Sequence, residues 1–110
     1  MDVYRNKFSA VCSDTTSQDV LSPPVDLGRV LVVTNILIYD ETTALANMEI
    51  IIKSGDIAHV INRAPATGTV KWLNHPYPVY VSEGCRIGGR FLGASTNDVL
   101  SVYVNGYYAP

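Results

Sequence analysis

Charge is scarce in this chain. Asp, Glu, Lys and Arg make up 16% of its 110 residues, and the formal net charge at pH 7 is −2. The basic residues are scattered, so neither nucleic acid nor an anionic membrane is expected as a partner, because both are held by concentrated Lys and Arg. No apolar run approaches the roughly 18 residues that cross a bilayer. The opening "MDVYRNKFSAVCSD" carries acid at Asp2 and no continuous apolar stretch, unlike a secretory leader, which points to synthesis in a cytoplasm. There are two cysteines, Cys12 and Cys85, far apart in sequence. In a chain able to build its own core such residues are read as free, buried thiols. His59 and His75 share no paired spacing with them, so no metal site is expected, and no cofactor is implied.

Catalytic signatures are missing as well. The sequence contains no G-x-S-x-G, no H-E-x-x-H and no paired-carboxylate motif. His59 alternates with Ile57 and Ile61, which reads as a histidine on an apolar strand face, held in a core or an interface. His75 precedes Pro76 in a turn and is expected to be exposed. The chain is therefore not expected to be an enzyme. Amphipathic helices of three turns are absent too, and "ETTALANME" reads as a loop or a single turn.

What remains is β grammar, in a composition that is 47% hydrophobic. "RVLVVTNILIYD" alternates Val30, Val32, Thr34, Ile36 and Ile38 against Leu31, Val33, Asn35, Leu37 and Tyr39. Both faces are largely apolar, as in a central strand covered on both sides or one facing a neighbouring subunit. "MEIIIKSGD", "DIAHVINR", "TVKWLN", "HPYPVYVSEG", "CRIGGRFL" and "DVLSVYVNGYY" follow as further strands. Turn residues at Ser54-Gly55-Asp56 and a break at "APATG" separate them. The two prolines of "HPYPVYV" suit an edge. The spacing predicts an all-β fold: a single antiparallel β-sandwich or jelly-roll-like barrel of about 7–9 strands over residues 28–110. Residues 1–27 are expected as a less regular N-terminal arm or loop that can include an edge strand at "VYRNKFSAVC" and a short one at "DVL".

Two sets of residues stand out as candidate surfaces. The glycines of "EGCRIGGRFLG" fit neither G-x-G-x-x-G nor the P-loop, and no helix follows them, so a phosphate site is excluded. Gly84 is expected in a turn at positive φ, and Gly88-Gly89 at a bulge or where another backbone comes close. Arg86 and Arg90 then share an outward face, where they are either solvated or meet a partner's carboxylates. Tyr103 and Tyr107 lie on one face of the last strand and Tyr108 on the other, and all three are candidates for a partner interface. Trp72, Tyr77 and Tyr80 form the alternative, an aromatic platform for a glycan. The uncharged terminal strand and the doubly apolar Arg29–Asp40 strand would need cover, which an oligomer would supply.

The succession "RVLVVTNILIYDETTA…MEIIIKSG", "YPVYVSEGCRIGGRF" and "NDVLSVYVNGYY" resembles small β-sandwich virion proteins of tailed bacteriophages, of the head decoration (cement) or neck and tail accessory type. The resemblance covers about the last three-quarters of the chain and rests on generic β motifs. It implies a structural role in the virion: a homo-oligomer, often a trimer, bound to the major capsid protein or another virion protein, with no nucleic acid or membrane partner. It carries over no functional residue. The N-terminal segment departs from the pattern and would serve as an arm toward the capsid or a neighbouring subunit. A glycan- or receptor-binding module of a tail or neck is the alternative.

Overall fold

The computed structural model describes residues 2–64 and 68–110, so most of the break expected at "APATG" lies outside the described residues. Nine strands appear in chain order: β1 (Asp2–Val11), β2 (Gln18–Leu21), β3 (Val30–Asp40), β4 (Asn47–Ser54), β5 (Ile57–Arg63), β6 (Trp72–His75), β7 (Val79–Ser82), β8 (Arg86–Leu92) and β9 (Val99–Tyr108). Among the described residues there is no helix. Two antiparallel sheets pack face to face. One runs β1-β9-β3, with β6 and β7 end to end along the far side of β3; the other runs β2-β8-β4-β5. The β-sandwich expected from the alternation is the observed architecture.

The core lies between the sheets, where Leu31, Val33, Ile36, Ile38, Met48, Ile50, Ile87, Phe91, Leu100 and Val102 are all almost fully buried. Burying a side chain of this size contributes about 1.5–3 kcal/mol. Cys12 is buried within it and Cys85 packs at its margin, both as free thiols. Residues 2–11 are not a free arm. They pair with β9 along their whole length, from Asp2 with Tyr108 to Val11 with Val99. The uncharged terminal strand is therefore flanked by β1 and β3 and is not itself an edge.

The long strand β3 departs from strict alternation. Val33 faces Gly106 and Asn35 faces Asn105, so Thr34 is an extra residue and the register shifts there. Its hydroxyl donates to the Asn105 carbonyl at 3.2 Å. Beyond this bulge the faces exchange: Leu31, Val33, Ile36 and Ile38 point into the core, while Val32, Asn35, Leu37 and Tyr39 point out. The face grouping expected from the sequence is thus corrected on both sides of Thr34. A second shift, between Ile50 and Ile51 of β4, leaves Ile61 of β5 unpaired. His59 lies opposite Ile52, on the side that packs against the core, but is exposed at the sheet margin and not buried in that core. His75, expected to be exposed, is half-buried with Tyr77 edge-on at 5.5 Å.

Gly84 adopts φ +76 in its turn, as expected. Gly88 and Gly89 lie in an unbroken register with both β2 and β4, so the local feature is close approach and not a bulge. A Cβ at Gly88 would strike the Val20 carbonyl, and one at Gly89 would meet Ile38 at 2.8 Å. Gly106 has the same constraint at the β3 bulge, where a Cβ would run into the Val32 carbonyl oxygen. Gly106→Ala is expected to lower stability by about 3 kcal/mol in denaturant titration, since neither backbone can retreat without breaking the ladder. A loss below about 1 kcal/mol would show that the bulge does not depend on this glycine.

Candidate functional site

Strand pairing decides which side chains share a surface, because directly opposed residues lie on one face. On the outer face of the five-stranded sheet three rows cross the strands. Val3, Tyr107, Val32 and Tyr80 form the first; Lys7, Tyr103, Leu37 and Asn74 the second; Ser9, Ser101, Tyr39 and Trp72 the third. Between the first two lie Arg5, Asn105 and Asn35. Four of the seven tyrosines and the single tryptophan thus gather on one face. Trp72 and Tyr80 are 54% and 69% exposed, so apolar ring surface faces solvent. The charged groups set among these rows are Arg5 and Lys7 on β1, with the Lys7 ammonium 5.2 Å from the Tyr103 ring centre, and the Glu41 carboxylate, which accepts from the Ser101 hydroxyl at 3.4 Å.

Two adjoining grooves cut this face beside Trp72, of about 610 and about 370 Å³. Tyr39, Trp72 and Asn74 line both. Asn35 and Leu37 complete the smaller groove, and Lys71, Leu73 and Val70 the larger. The Asn74 side-chain oxygen is buried and has no donor among the described residues.

The outer face of the other sheet is constructed differently. Asp19, Arg90, Glu49 and Arg63 stand in one row across all four strands. Arg90 holds Asp19 through two bonds, Nε to Oδ1 at 2.8 Å and Nη2 to Oδ2 at 3.0 Å. Arg63 Nε donates to Glu49 at 2.9 Å. The Asp19 hydrogen bond raises the Arg90 pKa above its ordinary value, which favours the charged form. Ile51, two residues beyond Glu49 on the same face of β4, is fully buried. Arg86 donates Nε to the Ser22 carbonyl at 2.9 Å. The two arginines therefore sit on the sandwich face opposite Tyr103 and Tyr107, and both make intramolecular bonds.

The aromatic candidates divide in the same way. Trp72, Tyr80, Tyr103 and Tyr107 come together on the outer face. Tyr77 leaves it for the His75 side of the sandwich edge. Tyr108 points inward, edge-on to Tyr4 at 5.7 Å and covered by the Arg29 guanidinium at 3.5 Å. Sequence reasoning missed Asn35, Leu37, Tyr39 and Asn74 as members of this surface. The first three are placed there by the bulge, and Asn74 by its pairing with Leu37.

A buried polar cluster closes the Trp72 end of the sandwich. Asp40 is fully buried and Asp98 is 4% exposed. The Asp40 amide donates to the Lys71 carbonyl at 2.8 Å, next to Trp72, and Asp40 Oδ1 accepts from the Thr42 and Thr43 amides, both at 3.0 Å. Asp98 Oδ2 accepts from the Ser95 amide at 3.2 Å. Asp40 Oδ2 is buried without a donor among the described residues, yet the two carboxyl groups are hydrogen-bonding neighbours. The pairing favours a proton held on Asp40 and an ionised Asp98, since two like charges in one buried space oppose each other. Burial and the adjacent Asp98 raise the Asp40 pKa against the amide bonds that lower it. Burial also pushes Asp98 upward, but hydrogen bonds from Thr43, Asp40 and Ser95 outweigh it and hold its pKa low.

The two shifts act on stability in opposite senses. A raised carboxyl pKa favours the fold in acid and loses that contribution as pH climbs from the ordinary value of 3.8 through the folded one. A lowered one contributes above 3.8 and loses it as pH falls through the folded value. Stability should thus pass through a maximum in mild acid as far as this pair is concerned. Asp40→Asn, which keeps one acceptor and a permanent donor toward Asp98, should remove the decline on the alkaline side in melting curves taken between about pH 4 and about pH 8. Asp98→Ala should cost about 2–3 kcal/mol, because it leaves the buried Asp40 carboxyl and the Ser95 amide without their partner.

No protein-family model, curated protein or solved structure matches the chain. Its function is therefore to be read from its own surfaces.

Proposed function

We propose that the chain is a non-enzymatic structural protein of a phage virion, a capsid-decorating module that forms a closed oligomer, such as a trimer, and bridges major capsid subunits. The virion setting comes from the sequence resemblance. The docking mode rests on one observation, the asymmetry of the two outer faces. One face is closed by its own ion pairs, with Asp19 and Arg90 bonded twice. The other presents Leu37, Tyr39, Trp72, Tyr80, Tyr103 and Tyr107 with little charge. Aromatic side chains with little competing charge are what the centre of a protein interface uses. Rigid rings on a rigid sheet also lose little conformational freedom when covered.

Such a protein stabilises a shell by burying apolar area across subunit boundaries. In sedimentation, the free protein is expected to be an oligomer. Leu37→Asp combined with Trp72→Ala should weaken self-association or particle binding at least about tenfold while leaving the β-sheet spectrum intact. Particles lacking the protein should release genome at a lower temperature. A monomeric wild type that also leaves particle heat stability unchanged would overturn the reading.

A second reading is favoured by the grooves beside Trp72, where aromatic rings stand next to the Asn35 and Asn74 amides and Asn74 keeps an unpaired oxygen. Ring faces stacked on sugar C–H surface, with amides on the hydroxyls, are how a neutral glycan would be held. Glycan-array binding lost in Trp72→Ala and Tyr39→Ala but kept in Tyr77→Ala would select this reading over the first.

A further inference from the structure

The sheet carrying the aromatic face has an open side. Among the described residues β1 pairs with β9 alone, so its other flank is free until the Val11 carbonyl, which accepts from Gln18 Nε2 at 3.2 Å. The strand has no proline, and its register with β9 is unbroken, so two of the usual devices that spoil an edge are missing. Beside it the sandwich does not close. A cleft of about 250 Å³ runs between β1 and the Pro23–Asp26 loop; Tyr4, Phe8, Pro23, Pro24 and Val25 supply apolar lining, and Asp26 is its one charged residue, so apolar and not acidic side chains fit within it. Tyr4 and Phe8, which line it, are only half-buried.

We infer that β1 is a strand-addition site, completed by an extended segment of another polypeptide that alternates apolar and acidic side chains. Main-chain bonds to the free flank of β1 would hold such a segment, and its inward side chains would fill the cleft over Tyr4 and Phe8. Its outward side chains would lie opposite Arg5 and Lys7, which share the outer face. Neither cation is in an ion pair among the described residues. Opposite charges directly across a strand pair stabilise it, and like charges oppose it. A second copy of β1 is the wrong occupant for that reason: antiparallel self-pairing about Asn6 sets Arg5 of each copy against Lys7 of the other. The edge is therefore guarded against itself and open to an acidic strand. This edge adjoins the aromatic face and shares Arg5 and Lys7 with it, but the main-chain flank of β1 plays no part in the docking mode, so its failure would leave the docking proposal standing.

Two synthetic peptides as long as β1, one alternating Glu and Val and the other Lys and Val, test the inference on the intact protein. The Glu/Val peptide should bind about tenfold more tightly by calorimetry. It should also slow amide exchange within residues 2–11. Arg5→Glu with Lys7→Glu, at exposed positions that leave the fold undisturbed, should reverse the preference. An N-methylated Glu/Val peptide, which keeps its side chains but loses alternate donors, should not bind. Equal binding of the two peptides, protection confined to other strands, or self-association of the free protein through β1 would each overturn the proposal.

Discussion

A single unpaired residue, Thr34, governs both faces of the larger sheet. Strand β3 must feed the core at its start and at its end, and its two halves are out of phase. Leu31 and Val33 belong to one alternation, Ile36 and Ile38 to the other. A regular strand would bury Asn35, Leu37 and Tyr39 and expose two isoleucines. The bulge resolves the conflict, and burial of the isoleucines contributes a few kcal/mol toward it, about 1.5–3 for each. Gly106 makes the geometry feasible by leaving room for the Val32 carbonyl. The aromatic surface is thus a consequence of core packing: the residues that the bulge turns outward are those that line the groove.

That dependence explains how much of the molecule could be read from the sequence. Strand existence was legible, because alternation and β-branched content are local properties, and each segment read as a strand contains one. The short β2 at "DVL" and the proline-led β7 fall in the same way. The faces of β3 were not legible. "RVLVVTNILIYD" is apolar in both phases, so only its pairing with β9 tells where the phase changes. Gly88-Gly89 shows the limit from the other side. The need for glycine was visible, but whether it served a bulge or a neighbouring backbone was decided by β2, far away in sequence. Trp72, Tyr80, Tyr103 and Tyr107 were singled out by residue type, while Asn35, Leu37, Tyr39 and Asn74 joined them only through pairing.

The two outer faces also differ in how they treat charge. With few charged residues, the chain places several on the smaller sheet, where Asp19, Arg90, Glu49 and Arg63 line up across four strands. These pairs are partly exposed and contribute modestly to stability, since solvent screens them. Their larger effect is to occupy hydrogen-bonding capacity that would otherwise meet a partner. On the outer face of the larger sheet the strands themselves carry Arg5 and Lys7, both on β1 at the margin, and Glu41 reaches Ser101 from the turn after β3.

The buried carboxyl pair gives the aromatic face its second support. Asp40 ends β3 one residue beyond Tyr39, and its amide fixes the Lys71 carbonyl beside Trp72, while its side chain gathers the following turn. Asp98 anchors the turn into β9 and receives Cys12 through its backbone carbonyl at 2.7 Å. Charging both acids would set two like charges in a space that water does not reach, and the segments they join are those that hold the Trp72 groove. Bulge and acid pair therefore work at different positions on one strand. The first turns Asn35, Leu37 and Tyr39 outward, and the second fixes the end of β3, where Tyr39 lies opposite Trp72 of β6.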